Sequence, residues 1–218
     1  MMDSKGLRLA LMTRTSAAVV GVLLMVGVAS AGVEEDYAAG MVAYNRGDFV
    51  SAMPGLRKAA DAGHAESQAV LASILEVAES KEEAVAYYRK SAAAGNINGT
   101  YGLATMLASG EGVKKDVREA RRLFNKAAES GHQLAIGVMA QAYIRGELEL
   151  TEQERAGPEA LKWINRAADN GFMVALEALE KAYRNGELGL AVDVAKADQI
   201  RQRIVTLKGI KEKKGRRK

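Results

Sequence analysis

Apolar and polar residues alternate along the chain with a helical period, and the same arrangement recurs four times. Each copy ends in a similar heptapeptide with glycine at its sixth position. The four heptapeptides are KAADAGH (58–64), KSAAAGN (90–96), KAAESGH (126–132) and RAADNGF (166–172). Their glycines, Gly63, Gly95, Gly131 and Gly171, are spaced 32, 36 and 40 residues apart. Periods of this length are typical of stacked helix pairs.

The residues before each glycine predict the second helix of a pair, helix B. A small, a large and another small residue lie eleven, seven and three positions before the glycine, which places them on one helical face. The small residues let a neighbouring helix approach closely, and the large one fills the gap between them. The residues predicted to be buried on the B helices are Ala52, Leu56, Ala60, Ala84, Tyr88, Ala92, Ala120, Phe124, Ala128, Ala160, Ile164 and Ala168.

The residues after each glycine predict the first helix of the next pair, helix A. Positions four, eight and twelve after the glycine again share one face, which we expect to pack on the partner helix and on the next pair. These positions are Ser67, Leu71, Leu75, Gly99, Leu103, Leu107, Ala135, Met139, Tyr143, Ala175, Leu179 and Tyr183.

Glycine at the end of a helix predicts a left-handed residue, because glycine adopts that conformation without steric cost. We expect it at the four repeated glycines; Gly110, Gly146 and Gly186 stand at the ends of three predicted A helices.

The starts of the B helices carry N-cap signals. Asp48 is a predicted N-cap, and Ser80 with Glu83 and Asp116 with Glu119 form predicted capping boxes. Pro158 suits a first helical position. Because proline disrupts a helix interior, Pro54 predicts that the first B helix begins late, near Ser51.

The stretch 102–131, GLATMLASGEGVKKDVREARRLFNKAAESG, resembles a Sel-one-like repeat of the tetratricopeptide-like superfamily. Trp163 occupies the tryptophan position of the following copy. The copy around Ser80 lacks the G-x-G-V loop, and the copy from 133 to 172 carries a four-residue expansion near ELTEQERAG. The matching positions are Gly110, Gly112, Val113, Asp116, Ala120, Lys126, Ala127, Ala128 and Gly131.

This resemblance covers about residues 37 to 207 and implies an all-α fold, a right-handed α-solenoid of about five antiparallel helix pairs. The last pair carries Ala197, Ile200 and Ile204 on its B helix but has no glycine in register. A polar outer helix of this kind is what a terminal repeat requires.

The first residues predict export. Lys5, Arg8 and Arg14 precede an apolar run from 17 to 28, and small residues follow up to Ala31. This pattern is typical of a signal peptide cleaved near Ala31, which gives a periplasmic or secreted protein. The alternative is an uncleaved N-terminal helix that anchors the protein in a membrane, since the apolar run can be extended from 16 to 33.

The predicted organisation is therefore a cleavable signal peptide at 1–31, a repeat domain at 32–207 and a basic, disordered tail at 208–218. The predicted signal peptide carries a net charge of +2 and the tail a net charge of +6. Since the whole chain carries +4, residues 32–207 carry −4. The tail suggests a weak contact of Lys208 to Lys218 with an anionic membrane surface. Without cysteine, the chain has neither a disulfide nor a lipid-modified N-terminal cysteine.

The sequence predicts no catalytic, metal or cofactor site. His64 and His132 occupy equivalent places after the repeated glycine, which explains them as parts of the repeat, and no cysteine or aspartate cluster accompanies them. Nucleotide-binding glycine motifs and a G-x-S-x-G nucleophile motif are absent from the sequence. We expect no nucleic-acid partner, because the basic tail has no interleaved aromatic residues.

The signal peptide pattern predicts an exported protein, and the resemblance, together with the absence of a catalytic motif, implies a scaffold, not an enzyme, that binds a protein or peptide partner through the concave face lined by its A helices. The alternative is a cell-wall-associated enzyme or enzyme regulator, because some cysteine-rich relatives are linked to penicillin binding or β-lactam hydrolysis. Tyr101 is the predicted anchor, since aromatic contacts dominate many interfaces. The residues predicted to face the partner are Glu66, Ser73, Asn98, Tyr101, Thr105, Gln141, Lys181 and Arg184.

Overall fold

The computed structural model describes residues 31–215, with side chains described up to 209, and shows a stack of antiparallel helix pairs. The signal peptide prediction falls on residues that lie outside this range, apart from Ala31. None of the described helices is long and apolar enough to cross a membrane.

The described residues form helices and no strand, and their order confirms the predicted five pairs. The A helices are α1 (31–45), α3 (Ala65–Val77), α5 (Ile97–Ser109), α7 (Gln133–Arg145) and α10 (Met173–Asn185). The B helices are α2 (Phe49–Asp61), α4 (Lys81–Ala93), α6 (Val117–Glu129), α9 (Pro158–Asp169) and α11 (Val194–Gly215). A short helix, α8 (Glu152–Arg155), lies in the four-residue expansion.

The repeated glycines end the B helices as the sequence predicts. Their φ angles lie between +77° at Gly171 and +95° at Gly63, and Gly110, Gly146 and Gly186 are left-handed in the same way. In all four copies the residue after the glycine donates its N–H to the carbonyl five residues earlier, at 3.0 Å, as His64 does to Ala59. This bond satisfies a carbonyl that the helix would otherwise leave open.

The predicted helix starts are confirmed only in part. Asp48 accepts the N–H of Ser51 at 3.0 Å, Asp116 accepts the N–H of Glu119 at 3.0 Å, and Pro158 is the first residue of α9. The capping box at Ser80 is wrong, because its side chain makes no capping bond and the carboxylate of Glu83 binds Arg57 instead.

Two further predictions on the starts need correction. The carboxylate of Glu119 is held by Arg122 at 2.6 and 2.7 Å, so only the aspartate half of the capping box at Asp116 forms. Helix α2 begins at Phe49, not near Ser51, and continues through Pro54. Since proline has no N–H, the carbonyl of Val50 receives no helical bond from that position.

The predicted stripes form the core. Eleven of the twelve residues predicted on the B helices are buried, the exception being the half-buried Ala92. On the A helices, Leu103 and Tyr183 are half-buried and the other predicted positions are buried. Buried apolar residues form two clusters, one from Ala52 to Met106 and the other from Ala104 to Ile204.

The C-terminal helix differs from the prediction for residues 208–218. α11 continues to Gly215, so the backbone of 208–215 is helical where the composition predicted a disordered tail, and 216–218 lie outside the described residues. At the start of this segment Lys208 Nζ lies 3.0 Å from Glu177 Oε1 of α10.

Candidate functional site

A groove of about 580 Å³ opens along the A helices, and we call it the A-face groove. Helices α1, α3 and α5 and the first turn of α7 supply its walls. It lies beside the junction of α5 and α7. These two A helices approach each other less closely than the pair α3 and α5 or the pair α7 and α10. The side chains that matter below are Tyr44, Glu66, Glu76, Tyr88, Tyr101, His132 and Leu134.

Five of the eight predicted partner-facing residues line this groove. They are Glu66, Ser73, Asn98, Tyr101 and Thr105. Gln141 lines an adjoining hollow instead, while Lys181 and Arg184 line neither space.

The two predicted cations on α10 are bound within the protein. Lys181 Nζ lies 3.1 Å from Glu187, and the guanidinium of Arg184 lies 2.8 Å from both Glu180 and Asp198. The structure thus brings the N-terminal part of the predicted set together and leaves its C-terminal part separate.

Glu66 stands at one end of the groove and is held by two amides. Asn98 Nδ2 donates to Glu66 Oε1 at 3.0 Å, and Asn96 Nδ2 donates to Glu66 Oε2. The two amides come from the N-cap and the first turn of α5, so these bonds join consecutive A helices. They orient the carboxylate without neutralising its charge.

Tyr88 reaches the groove from α4, beneath the A helices. Its hydroxyl donates to Glu76 Oε2 at 2.9 Å, although the residue is only 5% exposed. Burial, followed by the nearby Glu76 carboxylate, raises the pKa of Tyr88, so the phenol stays protonated and remains a donor. Gly102 makes room for this ring, because a Cβ there would lie 2.2 Å from Tyr88 Cε1.

Tyr101 is fixed by aromatic neighbours. Its ring stacks on His132 at a centroid distance of 4.3 Å and 24°, and it meets Phe124 edge-on at 5.7 Å. His132 is itself fixed, since its Nδ1 accepts the N–H of Ala135 at 3.2 Å. A half-buried tyrosine held in this way presents a rigid surface at little entropic cost.

The histidines act as helix N-caps. His64 Nδ1 accepts the N–H of Ser67 at 3.2 Å, as His132 does for Ala135, and Asn96 takes the equivalent role with Gly99 at 2.8 Å. Burial lowers the pKa of His132, which favours the neutral ring that capping requires. Within residues 31–209, no group of three or more His, Cys, Asp or Glu side chains could hold a metal ion.

A second hollow of about 250 Å³ adjoins the groove and shares Tyr101 and Leu134 with it. Its other walls include Val138, Ile144 and Phe172, and no charged side chain lines it. We call it the apolar hollow. Gly137 allows Phe172 to lie against α7, because a Cβ there would be 2.4 Å from the ring.

Glu76, Tyr44 and Leu134 also line the groove and were not predicted from the sequence. Glu76 lies ten positions after Glu66 and three after Ser73, on the same helical face, so extending that stripe by one turn would have found it. Tyr88 was predicted as core only. The sequence of α4 contains no signal that the hydroxyl of Tyr88 reaches the groove between two A helices.

Comparisons with known proteins agree with the repeat. The sequence model of the Sel1 repeat matches residues 73–96, 98–132 and 138–172. The chain is similar to the crystal structure of c5321, a protective antigen present in uropathogenic Escherichia coli strains and displaying an SLR fold. The TM-score is 0.70 and the identity 27%, over 83% of this chain and 39% of that one.

It is also similar to a Sel1 repeat protein from Oxalobacter formigenes, with a TM-score of 0.61 and 25% identity, over 79% of this chain and 70% of that one. No curated protein sequence matches the chain.

Proposed function

Because the chain is a Sel1-repeat protein with an SLR solenoid fold, we propose that it is a scaffold that holds a protein partner against the face formed by its A helices. Sel1 repeats generally mediate contacts between proteins. The observation that carries this proposal is the convergence of α1, α3, α5 and α7 on one groove that contains a half-exposed, rigidly held tyrosine.

The packing of the helices supports the choice of this face as the concave one. Two pairs of successive A helices, α3 with α5 and α7 with α10, pack against each other, whereas α5 with α7 and the successive B helices approach less closely. Where successive A helices are closer together than the B helices, as at these two junctions, the stack curves around the A side. Curved stacks of this kind bind extended partners along the inner surface.

Export is part of the proposal and is supported by the signal peptide pattern. The test is the intact mass of the protein recovered from cells that express the full 218-residue chain. A periplasmic or secreted product that lacks residues 1–31 would support export, and a full-mass product in the membrane fraction would support the anchored alternative.

The scaffold is tested by capture from envelope extract. The Tyr101→Ala variant removes the rigid ring in the A-face groove, and Lys181→Ala is the matched control because Lys181 lies outside the groove. We expect a partner that the wild type and the control retain and that Tyr101→Ala loses. Equal capture by all three proteins would contradict the groove as the binding site.

A contact of the basic C-terminus with anionic lipid is a second proposal. The segment 208–218 carries a net +6, and α11 continues to Gly215 as a helix. Sedimentation with anionic liposomes, with and without residues 208–218, tests it, and equal binding would remove the idea. Nitrocefin hydrolysis by the purified protein is the corresponding assay for the alternative of a cell-wall enzyme.

A further inference from the structure

The A-face groove holds two carboxylates that have no cationic partner among the described residues. Glu66 is bound by Asn96 and Asn98, and Glu76 by the hydroxyl of Tyr88, so every one of these donors is neutral. Both glutamates are half-buried, and no lysine or arginine lines the groove. Half-buried charges are screened less than exposed ones, so the groove attracts cations.

Three tyrosines line the groove together with one of these carboxylates. Tyr44, Tyr88 and Tyr101 line the same space as Glu76. The negative face of a tyrosine ring attracts ammonium and guanidinium groups, more strongly where water is partly excluded. The Glu76 carboxylate together with the half-buried rings of Tyr44 and Tyr101 is thus a receptor for a cationic side chain.

The chain itself shows this preference at other aromatic rings. Lys90 Nζ lies 4.9 Å from the ring centre of Tyr87, Lys162 Nζ 4.9 Å from that of Trp163, and Lys196 Nζ 4.4 Å from that of Tyr183. Within residues 31–209, no cation lies over the rings of the three groove tyrosines. The groove therefore offers tyrosine rings for a cation–π contact, and a binding partner would supply the cation.

The apolar hollow beside the groove sets a second requirement. It shares Tyr101 and Leu134 with the groove, and its lining carries no charge. A segment that crosses both spaces must present a cation to one and an apolar side chain to the other.

We infer that the partner of the A-face groove is a peptide segment that places one lysine or arginine near Glu66 and another near Glu76, which lie about 15 Å apart along α3, and that one of these basic residues is followed or preceded by an apolar side chain in the hollow. This inference rests on the proposed scaffold function and names the chemical class of its partner. Charge complementarity selects the cation, and the shared wall of Tyr101 and Leu134 places the apolar residue close to it.

A random peptide library displayed on phage tests the inference with the protein purified from cells that express the full chain. Peptides selected on the wild type are then measured against Glu66→Gln and Glu76→Gln, which keep side-chain volume and remove charge. Glu177→Gln is the matched control, because Glu177 is exposed on α10 and far along the stack. Circular dichroism and thermal unfolding show whether each variant keeps the fold.

We expect the selected peptides to be enriched in lysine or arginine next to an apolar residue. Each groove variant should weaken their binding about tenfold, the control should leave it unchanged, and added salt should weaken it further. Replacing either of the two basic residues of a selected peptide by glutamine should have the same effect as one groove variant.

The outcomes separate the inference from the function on which it rests. Peptides that lose binding on Tyr101→Ala but lack basic residues, or that ignore both glutamine variants, would overturn the inference and leave the scaffold in place. A library that yields no binder, or only binders unaffected by Tyr101→Ala, would overturn the groove as a binding site and the inference with it.

Discussion

At the scale of single residues, the position after each repeated glycine shows how a repeat tolerates variation. It is occupied by His64, Asn96, His132 and Phe172. The first three accept an N–H of the following A helix through the side chain, whereas Phe172 makes no such bond. Phe172 instead packs over Gly137 and forms a wall of the apolar hollow. The backbone turn is common to all four copies, and the side chain is free to cap a helix or to shape a surface.

His132 predicts a pH dependence of stability. Burial lowers its pKa below the ordinary value of 6.5, so the unfolded chain takes up the proton more readily than the folded one. The contribution of neutral His132 to the free energy of unfolding is fully present above pH 6.5. It is lost as the pH falls below 6.5 towards the lowered pKa of the folded state. Protonation also ends the acceptance of the N–H of Ala135 by Nδ1.

The measurement is urea unfolding between pH 7.5 and pH 5 for the wild type and for His132→Asn. Asparagine caps the equivalent helix at Asn96 and does not titrate, so the variant should lose less stability on acidification. An identical pH dependence in both proteins would contradict the role assigned to His132.

Gly131 predicts a purely conformational cost of substitution. Its φ is +91°, and a Cβ added there would meet no atom within 4 Å. Gly131→Ala should therefore lower the free energy of unfolding by about 1–2 kcal/mol through the left-handed backbone alone. Gly209→Ala is the control, because Gly209 lies in α11 without a positive φ and is equally free of contacts. There alanine should be neutral or stabilising by up to about 1 kcal/mol. Equal losses in both variants would contradict this explanation.

At the scale of helices, local sequence signals identified the elements better than their starts. The spacing of Ala120, Phe124 and Ala128 fixed the buried face of α6, because helical geometry alone decides it. The capping box at Ser80 failed because Arg57, 26 residues away, binds Glu83, and no local pattern reveals such a competitor. The complete capping box of the described helices is at Thr151 and Glu154, where the sequence reading saw only an expanded loop.

The residues of the A-face groove, like the helices, could be predicted from the sequence only in part. Counting helical positions from Glu66 brought Ser73, Asn98, Tyr101 and Thr105 to one surface, because residues at equivalent places on successive A helices lie side by side. The same counting did not bring Lys181 and Arg184 into the groove, and their carboxylate partners lie on α10, on the loop after it and on α11. The glycine at 102, which lets Tyr88 reach Glu76, acts through a contact between helices that spacing along the chain does not show.

The expanded loop predicts a stabilising role for Arg155. Its Nε donates to the carbonyl of Tyr143 at 3.0 Å and its Nη2 to that of Ile144 at 2.9 Å. These carbonyls lie in the last turn of α7, where a helix offers them no partner. Hydrogen bonds to charged groups contribute about 1.5–3 kcal/mol, so Arg155→Met should lower the free energy of unfolding by about that amount.

Urea unfolding of three variants tests the cap. Arg155→Lys should recover part of the loss, since an ammonium can still reach one carbonyl. Arg118→Met should cost less than about 1 kcal/mol, because Arg118 is 86% exposed and forms only a surface pair with Glu149. A loss at Arg155 no larger than that at Arg118 would show that the loop does not cap α7.

At the scale of the whole molecule, the repeat period predicts a continuous stack, but the side chains divide its core. The buried residues form one cluster towards the N-terminus and another towards the C-terminus, and Leu103 and Val113 pack against both. Solenoid stability is the sum of contributions from each repeat and from each interface between neighbours. The junction at α5 is therefore the interface whose weakening should separate the two halves, and it adjoins the A-face groove.

Leu103→Ala should reduce the cooperativity of unfolding more than its stability cost alone implies. Leu103 is half-buried, so the loss of its packing should cost roughly 1–2 kcal/mol, below the range for a fully buried leucine. Because the side chain links both clusters, its removal should also lower the urea m-value or split the transition, which signals that the halves unfold separately. Ile164→Val is the control: it lies inside the C-terminal cluster, is fully buried, and should lower the free energy of unfolding by roughly 0.5–1.5 kcal/mol at an unchanged m-value. If Leu103→Ala also leaves the m-value unchanged, then backbone contacts between α4, α5 and α6 couple the halves without it, and the stack behaves as one cooperative unit.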